Sequence, residues 1–293
     1  MNITVTGASG LIGSRLVERL RARGDDVTTL SRNPSSPGAL RWLPEQEPAP
    51  AAALNGSDAV IHLAGENVAQ RWSDDAKRRI RGSRELGTRN LVAGIEAAEP
   101  RPRVLISSSA VGYYGPHGDE ELDETTAAGD GFLAEICVIW EREAQRAAQL
   151  GLRVVCVRTG VVLAKGGGAL EKMLPFFKLG VGGPVAGGEQ YMPWIHVDDV
   201  IGIYLAALDG DAWSGAVNAS APTPVTNKAF SKALGRALHR PAFAPVPALA
   251  VRTLYGEMSE IVTKGQRVIP RRAQEHGYTF EHPDLDEALR AAL

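Results

Sequence analysis

The chain has 293 residues, 44% of them hydrophobic and 23% charged, with a formal net charge of −2 at pH 7. That balance belongs to an ordinary globular protein of one large or two modest domains. It gives no basic footprint for nucleic acid or an anionic membrane surface, and no apolar run approaches the roughly 20 residues of a membrane helix.

The first 23 residues, MNITVTGASGLIGSRLVERLRAR, organise the rest of the chain. Ile3 and Val5 mark a strand, and Ile12, Leu16, Val17 and Leu20 fall on one face of a helix. Between them stands Gly7-Ala8-Ser9-Gly10-Leu11-Ile12-Gly13. Gly7 permits a tight turn, Gly10 lets the backbone approach a pyrophosphate, and Gly13 lets the helix pack close on the strand. The helix N-terminus offers unpaired N–H groups and a positive dipole end to phosphates. The spacing is GxxGxxG rather than GxGxxG, but its place between a strand and an amphipathic helix points to nucleotide binding. A strand starting at residue 2 leaves no room for a signal or transit peptide, so the expected location is the cytoplasm.

Residues 26–32, DVTTLSR, read as a second strand. The residue at its end meets the adenosine ribose, where an acid would bind the 2′-hydroxyl of NAD. Here stand Ser31 and Arg32, a hydroxyl and a guanidinium suited to a 2′-phosphate, so the cofactor inferred is NADP(H). Residues 33–56 are rich in proline and alanine and read as loop with a weak segment of structure. Residues 59–65, AVIHLAG, form a third, nearly continuous apolar strand, with His62 read as a core residue. Ser73, Asp74 and Asp75 cap and charge the start of a long basic helix running to about residue 98, with a kink expected near Gly82. Its cations read by default as a solvated helix face, with Arg84 the first candidate among them to reach cofactor phosphates.

A fourth strand, residues 104–110, runs into Ser107, Ser108 and Ser109, followed by Tyr113 and Tyr114. Ligands in open parallel sheets sit beyond the carboxyl ends of the strands, which places these hydroxyls for chemistry. The acidic loop 119–124 reads as surface, residues 132–150 as helix, and residues 153–158 as a fifth strand. Glycine runs then interrupt the pattern from 165 to 188. Residues 194–200, WIHVDDV, open another helix with Asp198 as the expected cap, and residues 216–219 give a sixth strand. Beyond residue 226 the chain is mostly helical. Residues 249–255 read as core of a small domain, with a homodimer surface as the alternative. Val268-Ile269-Pro270-Arg271-Arg272 reads as structural rather than as a phosphate site. Cys137 and Cys156, without CxxC spacing, read as buried free thiols in a reducing compartment. The six histidines show no ligand spacing, so no metal is expected.

The fold read from this order is α/β: a Rossmann-like doubly wound parallel sheet with a smaller, mostly helical C-terminal substrate domain. The boundaries expected are 1–163, with 197–221 returning, for the first unit, and 164–196 with 222–293 for the second. TGASGLIG, HLAG, SSSAVGYYG and HVDDV, in that order, resemble the extended short-chain dehydrogenase/reductase superfamily. HLAGENV, VRTGVVL, GGPV, PWIHVDD and GQRVIPRR look like one branch of it, a nucleoside-diphosphate-sugar epimerase family sometimes labelled cell-division inhibitors. The resemblance implies that Gly7, Ser9, Gly10, Leu11, Ile12, Gly13, Ser31, Arg32, Leu63, Ala64, Gly65, Arg84 and Val162 line NADP(H). It implies that Ser109 is the active-site serine.

The superfamily pairs a tyrosine acid/base with a lysine four residues on, the cation favouring the phenolate. None of the six tyrosines here has lysine at that spacing. The helix that should carry the pair reads FLAEICVIWERE, with Phe132 and Leu133 near the tyrosine position and Cys137 near the lysine. Either Tyr113 or Tyr114 replaces the acid beside Ser109, or the chain is a non-catalytic NADP(H) sensor or scaffold. The first reading makes it an oxidoreductase or epimerase acting on a small hydroxylated or carbonyl substrate such as a sugar nucleotide.

Overall fold

The computed structural model describes residues 1–34 and 38–293. Strand and helix alternate through β1 (Asn2–Thr6), α1 (Leu11–Ala22), β2 (Asp26–Ser31), β3 (Ala39–Arg41), α2 (Ala51–Leu54), β4 (Ala59–His62), α3 (Asp74–Ala97) and β5 (Val104–Ala110). A 3-10 turn, Val111–Tyr114, leads to β6 (Glu121–Leu122), α4 (Phe132–Gln145), β7 (Arg153–Thr159) and β8 (Val161–Leu163). Then come α5 (Gly168–Lys178), β9 (Tyr191–Met192), β10 (Trp194–His196), α6 (Val197–Asp209) and β11 (Gly215–Ala219). The chain ends with β12 (Val225–Thr226), α7 (Asn227–Leu238), α8 (Ala248–Tyr255), α9 (Glu260–Thr263), β13 (Arg267–Val268), α10 (Arg271–Glu275) and α11 (Leu285–Ala292).

Seven strands make one parallel sheet in the order β11-β7-β5-β4-β1-β2-β3. Chain order reverses between β1 and β4, and a crevice opens beyond their carboxyl ends. All four residues of β4 are buried, as a strand covered on both faces requires. One face packs Leu16, Val17 and Leu20 of α1 with Val200, Ile203 and Tyr204 of α6. The other packs Leu54 of α2 with Leu91, Val92 and Ile95 of α3. A separate apolar cluster joins Leu170 and Phe177 of α5, Phe230 and Leu234 of α7, and Leu285 and Leu289 of α11. No helix among the described residues is long and apolar enough to cross a membrane.

The stretch 33–56 holds short segments within loop, as expected: the edge strand β3 and the single turn of α2; residues 35–37 lie outside the described residues. Several other expectations need correction. α3 is continuous across Gly82, which packs beside the Glu45 carboxylate. The helix expected over 132–150 changes to a 3-10 turn after Gln145. The acidic loop is not all surface: Asp123 and Glu124 are buried, and Glu124 accepts hydrogen bonds from the backbone N–H groups of Asn218 and Arg272. Asp198 stands in the first turn of α6, and His196 is the cap, its Nδ1 accepting the Asp198 N–H. In α8 only Val251 is buried, while Leu249 and Leu254 are 75% and 64% exposed, so this helix is not small-domain core. The arginines of the 267–272 stretch, by contrast, make structural contacts as expected: Arg267 pairs with Glu121, Arg271 with Asp123, and Arg272 donates to the Ser214 and Ala216 carbonyls.

α3 and α4 are tied by Glu143, whose carboxylate accepts from Arg89 at 3.0 and 3.1 Å and from Arg142 and Arg146 at 3.1 Å each. The Arg89 hydrogen bonds, helped by Arg146 and Arg142, pull its pKa from 4.5 down to about 2. A depressed folded-state pKa stabilises above the unfolded value and fades as pH falls through the folded one. Glu143→Gln is therefore expected to lose stability at neutral pH, and the gap to the parent chain should close between pH 4.5 and about 2 in urea melts.

Candidate active site

A cleft of about 820 Å³ opens at the β1–β4 crevice. Gly7 sits at φ +70°, and a Cβ there would lie 2.7 Å from the Ala64 nitrogen and the Leu63 carbonyl carbon. A Cβ on Gly13 would lie 2.2 Å from the Gly7 carbonyl oxygen, so α1 approaches the turn only because both positions are glycine. No side chain caps α1 and no acid stands in its first turn, which leaves its leading N–H groups for an anion.

Gly7, Ser9, Gly10, Ser31, Arg32, Leu63, Ala64 and Gly65 all line this cleft. Leu11 and Ile12 pack partly buried against the sheet core. Leu11 also fills the space beside Gly167 and Gly168 at the start of α5. Val162, in β8, pairs with Ile195 and packs partly buried against the same core. Arg84 lies just beneath the lining: its Cζ would be 3.2 Å from a Cβ on Gly65. Its Nη1 donates to the Glu66 carbonyl at 2.9 Å, and its guanidinium covers the Trp140 ring at 4.7 Å. Burial lowers its pKa. His62 is a core residue: fully buried, it bridges Thr6 at 2.7 Å and Thr88 at 3.1 Å, and burial pushes its pKa down to about 3. Thr6 in turn accepts the Ala64 N–H, which fixes the cleft loop that comes after β4.

Arg21 and residues 42–46 also line the cleft and were not singled out from sequence. Arg21 is exposed at the edge of the buried stripe of α1, one turn after Val17, and residues 42–46 come after a strand too short to show a pattern.

Ser109 is the penultimate residue of β5 and is 3% exposed; its Oγ donates to Glu141 Oε1 at 2.7 Å. Arg158, from β7, clamps the same carboxylate through Nε at 2.8 Å and Nη2 at 2.9 Å. The remaining Arg158 nitrogen, Nη1, donates to the Tyr114 hydroxyl at 3.0 Å, and that hydroxyl donates to Asn218 Oδ1 at 2.7 Å. Burial opposes the Arg158 charge, but Glu141 and Tyr114 outweigh it and hold its pKa above the usual value. Tyr114 is 0% exposed, and burial pushes its pKa up to about 12 against the Arg158 charge. Of the two tyrosines weighed as acids, Tyr114 is thus committed to a buried network. Tyr113 keeps partial exposure, its ring 3.4 Å from the Arg158 Cζ. Glu141 and Arg158 escaped sequence reading because they sit 17 positions apart on different elements.

Residues 3–219 match the NAD dependent epimerase/dehydratase family, and residues 246–292 match a domain of unknown function, DUF1731. The chain belongs to the NAD dependent epimerase/dehydratase family. Among its relatives is the Arabidopsis thaliana epimerase family protein SDR39U1 homolog, chloroplastic, 41% identical over 100% of this chain and 87% of that one. The crystal structure of the human epimerase family protein SDR39U1 with NADPH superimposes with a TM-score of 0.91 at 38% identity, covering 100% and 99% of the two chains. A nucleoside-diphosphate sugar epimerase from Corynebacterium glutamicum gives 0.82 at 35% identity, over 100% of this chain and 58% of that one. These matches agree with the resemblance read from TGASGLIG and HVDDV, including the distinct C-terminal segment. The family's acid/base tyrosine and lysine remain unmatched. Leu133 and Cys137 face Gly112, and burial, then Glu141, push the Cys137 thiol up to about 11.

Proposed function

We propose that the chain binds NADP(H) in the β1–β4 cleft and oxidises a hydroxyl, or reduces the corresponding carbonyl, on a small molecule such as a sugar nucleotide. The observation that carries this reading is the Ser109 hydroxyl aimed at a carboxylate that Arg158 grips at two points. The Gly7–Gly13 turn and the start of α1 would hold the pyrophosphate, and Ser31 with Arg32 the 2′-phosphate. When bound, the nicotinamide supplies hydride exchange at carbon. The protein's own residues must then handle the proton.

Ser109 has one proton, and it points at Glu141. Its oxygen lone pairs therefore present a hydrogen-bond acceptor to a substrate hydroxyl. That hydroxyl can lose its proton to Ser109 Oγ as the serine proton passes to Glu141 Oε1; the reverse sequence protonates a carbonyl oxygen. Arg158 holds the carboxylate in place. Tyr113, stacked on Arg158, is placed to orient the substrate. An epimerase restores its cofactor each turnover, whereas a reductase consumes NADPH, so Arg32 favours reduction.

The absent tyrosine–lysine pair supports a second reading, an NADP(H) sensor without turnover. Incubating the protein with NADPH and a panel of carbonyl compounds separates the two. Ser109→Ala is expected to lower turnover about 10²–10⁴-fold, the usual worth of a positioned proton-transfer group, and Tyr113→Phe to lower it less. Tight NADPH binding without turnover, indifferent to both changes, would establish the sensor instead.

A further inference from the structure

The start of α6 gathers a second set of polar side chains, from segments far apart in sequence. We propose that His196, Asp198 and His282 form a binding site for a divalent transition-metal ion of the zinc class, which clips the C-terminal segment to the parallel-sheet unit. The Asp198 Oδ2 atom lies 3.4 Å from His196 Nδ1 and 3.7 Å from His282 Nε2, and the three ligand atoms all lie within 4.8 Å of one another. Bonds of about 2.0–2.2 Å in a tetrahedral array put ligand atoms roughly 3.3–3.5 Å apart. Two of the separations are close to that, and the third is within 4.8 Å. Two imidazoles and a carboxylate, with a fourth position open, form a zinc donor set and a poor one for calcium or magnesium, which take oxygen.

The surroundings favour ligation. The His282 backbone is fixed in advance. Asp199, fully buried, accepts the Glu281 N–H at 2.7 Å and the His282 N–H at 3.0 Å, and takes the Tyr278 hydroxyl at 3.2 Å. The second Asp198 oxygen, Oδ1, faces Arg19 at 3.8 Å, an outer partner for a ligating carboxylate. Two features oppose the ion: the positive end of α6 and the Arg19 charge. The Asp198 and Asp199 carboxylates in that first turn offset both. Binding would also displace the Asp198 N–H from His196 Nδ1, a contact of 3.3 Å at the long end of the hydrogen-bond range.

The test titrates zinc chloride into chelator-stripped full-length protein by calorimetry, with cobalt(II) absorption as a second readout. One ion per chain is expected, with the visible ligand-field bands of a four-coordinate site and a melting temperature that rises with zinc. Asp198→Asn and His282→Phe preserve size and should each weaken the affinity at least about tenfold and abolish the thermal shift. His239→Ala, outside the cluster at the end of α7, should change neither. No binding by the parent chain overturns the site, as does an affinity that either variant leaves unchanged while folded by circular dichroism. None of these readouts depends on enzymatic turnover.

Discussion

Arg32→Asp is expected to reverse the cofactor preference of this protein. Arg32 comes directly after the last residue of β2 and lines the cleft beside the glycine turn. A guanidinium paired with a 2′-phosphate contributes about 1.5–3 kcal/mol as charge-assisted hydrogen bonds. At about 1.4 kcal/mol per factor of ten, Arg32→Ala should weaken NADPH about 10–150-fold and leave NADH nearly unchanged. Aspartate adds repulsion toward the phosphate and an acceptor for the ribose 2′-hydroxyl, so NADPH should fall further while NADH tightens. Because Arg32 is exposed, the NADPH advantage should also shrink with added salt. Fluorescence titration of both nucleotides against the parent chain and the two variants gives the ratio. Arg21→Ala belongs beside them, since Arg21 lines the same cleft. A ratio that tracks Arg21 and ignores Arg32 would mean that the wrong cation was assigned to the phosphate.

The cleft was legible because its determinants are local. Gly7, Gly10 and Gly13 lie within one turn, and Ser31-Arg32 ends the next strand, so periodicity and steric rules place them without tertiary knowledge. The neutral core role of His62 was legible for the same reason, from its apolar strand. The residues proposed to handle the proton were hidden. Ser109 could be read from the end of β5, but its partner Glu141 comes from α4 and the clamp Arg158 from β7. Nothing in FLAEICVIWERE marks Glu141 apart from its neighbours, because helical spacing says which face a residue takes and not what waits there. Tyr114 shows the converse: adjacent to Tyr113 in sequence, it is turned into a buried network within a 3-10 turn that sets the two rings edge to face. Buried acids such as Glu124 were missed likewise, since a run of carboxylates reads as solvated until the backbone donors that receive it are known.

Glu141 and Arg158 form a buried ion pair to which the proposed mechanism gives a part in proton transfer, and two kinds of substitution separate that part from stability. Arg158 is 4% exposed and its three nitrogens all donate to neighbours, two of them to Glu141. Glu141→Ala leaves that cation buried beside a void and should cost about 3–5 kcal/mol in urea unfolding. Glu141→Gln keeps the shape and one acceptor oxygen, so the loss of stability should be smaller. Removing both charges together, as Glu141→Leu with Arg158→Met, should return much of the stability, because well-packed apolar replacements of buried ion pairs are often neutral. Turnover should obey a different order. Glu141→Gln and the double replacement both deprive Ser109 of its proton acceptor, so each should fall about 10²–10⁴-fold in turnover with NADPH affinity nearly unchanged, since neither residue lines the cofactor cleft. If the double replacement regains activity along with stability, the ion pair is architecture alone and the proton travels by Tyr113. If stability returns while turnover stays lost, the carboxylate behind Ser109 does the work that a tyrosine and lysine do elsewhere in the family.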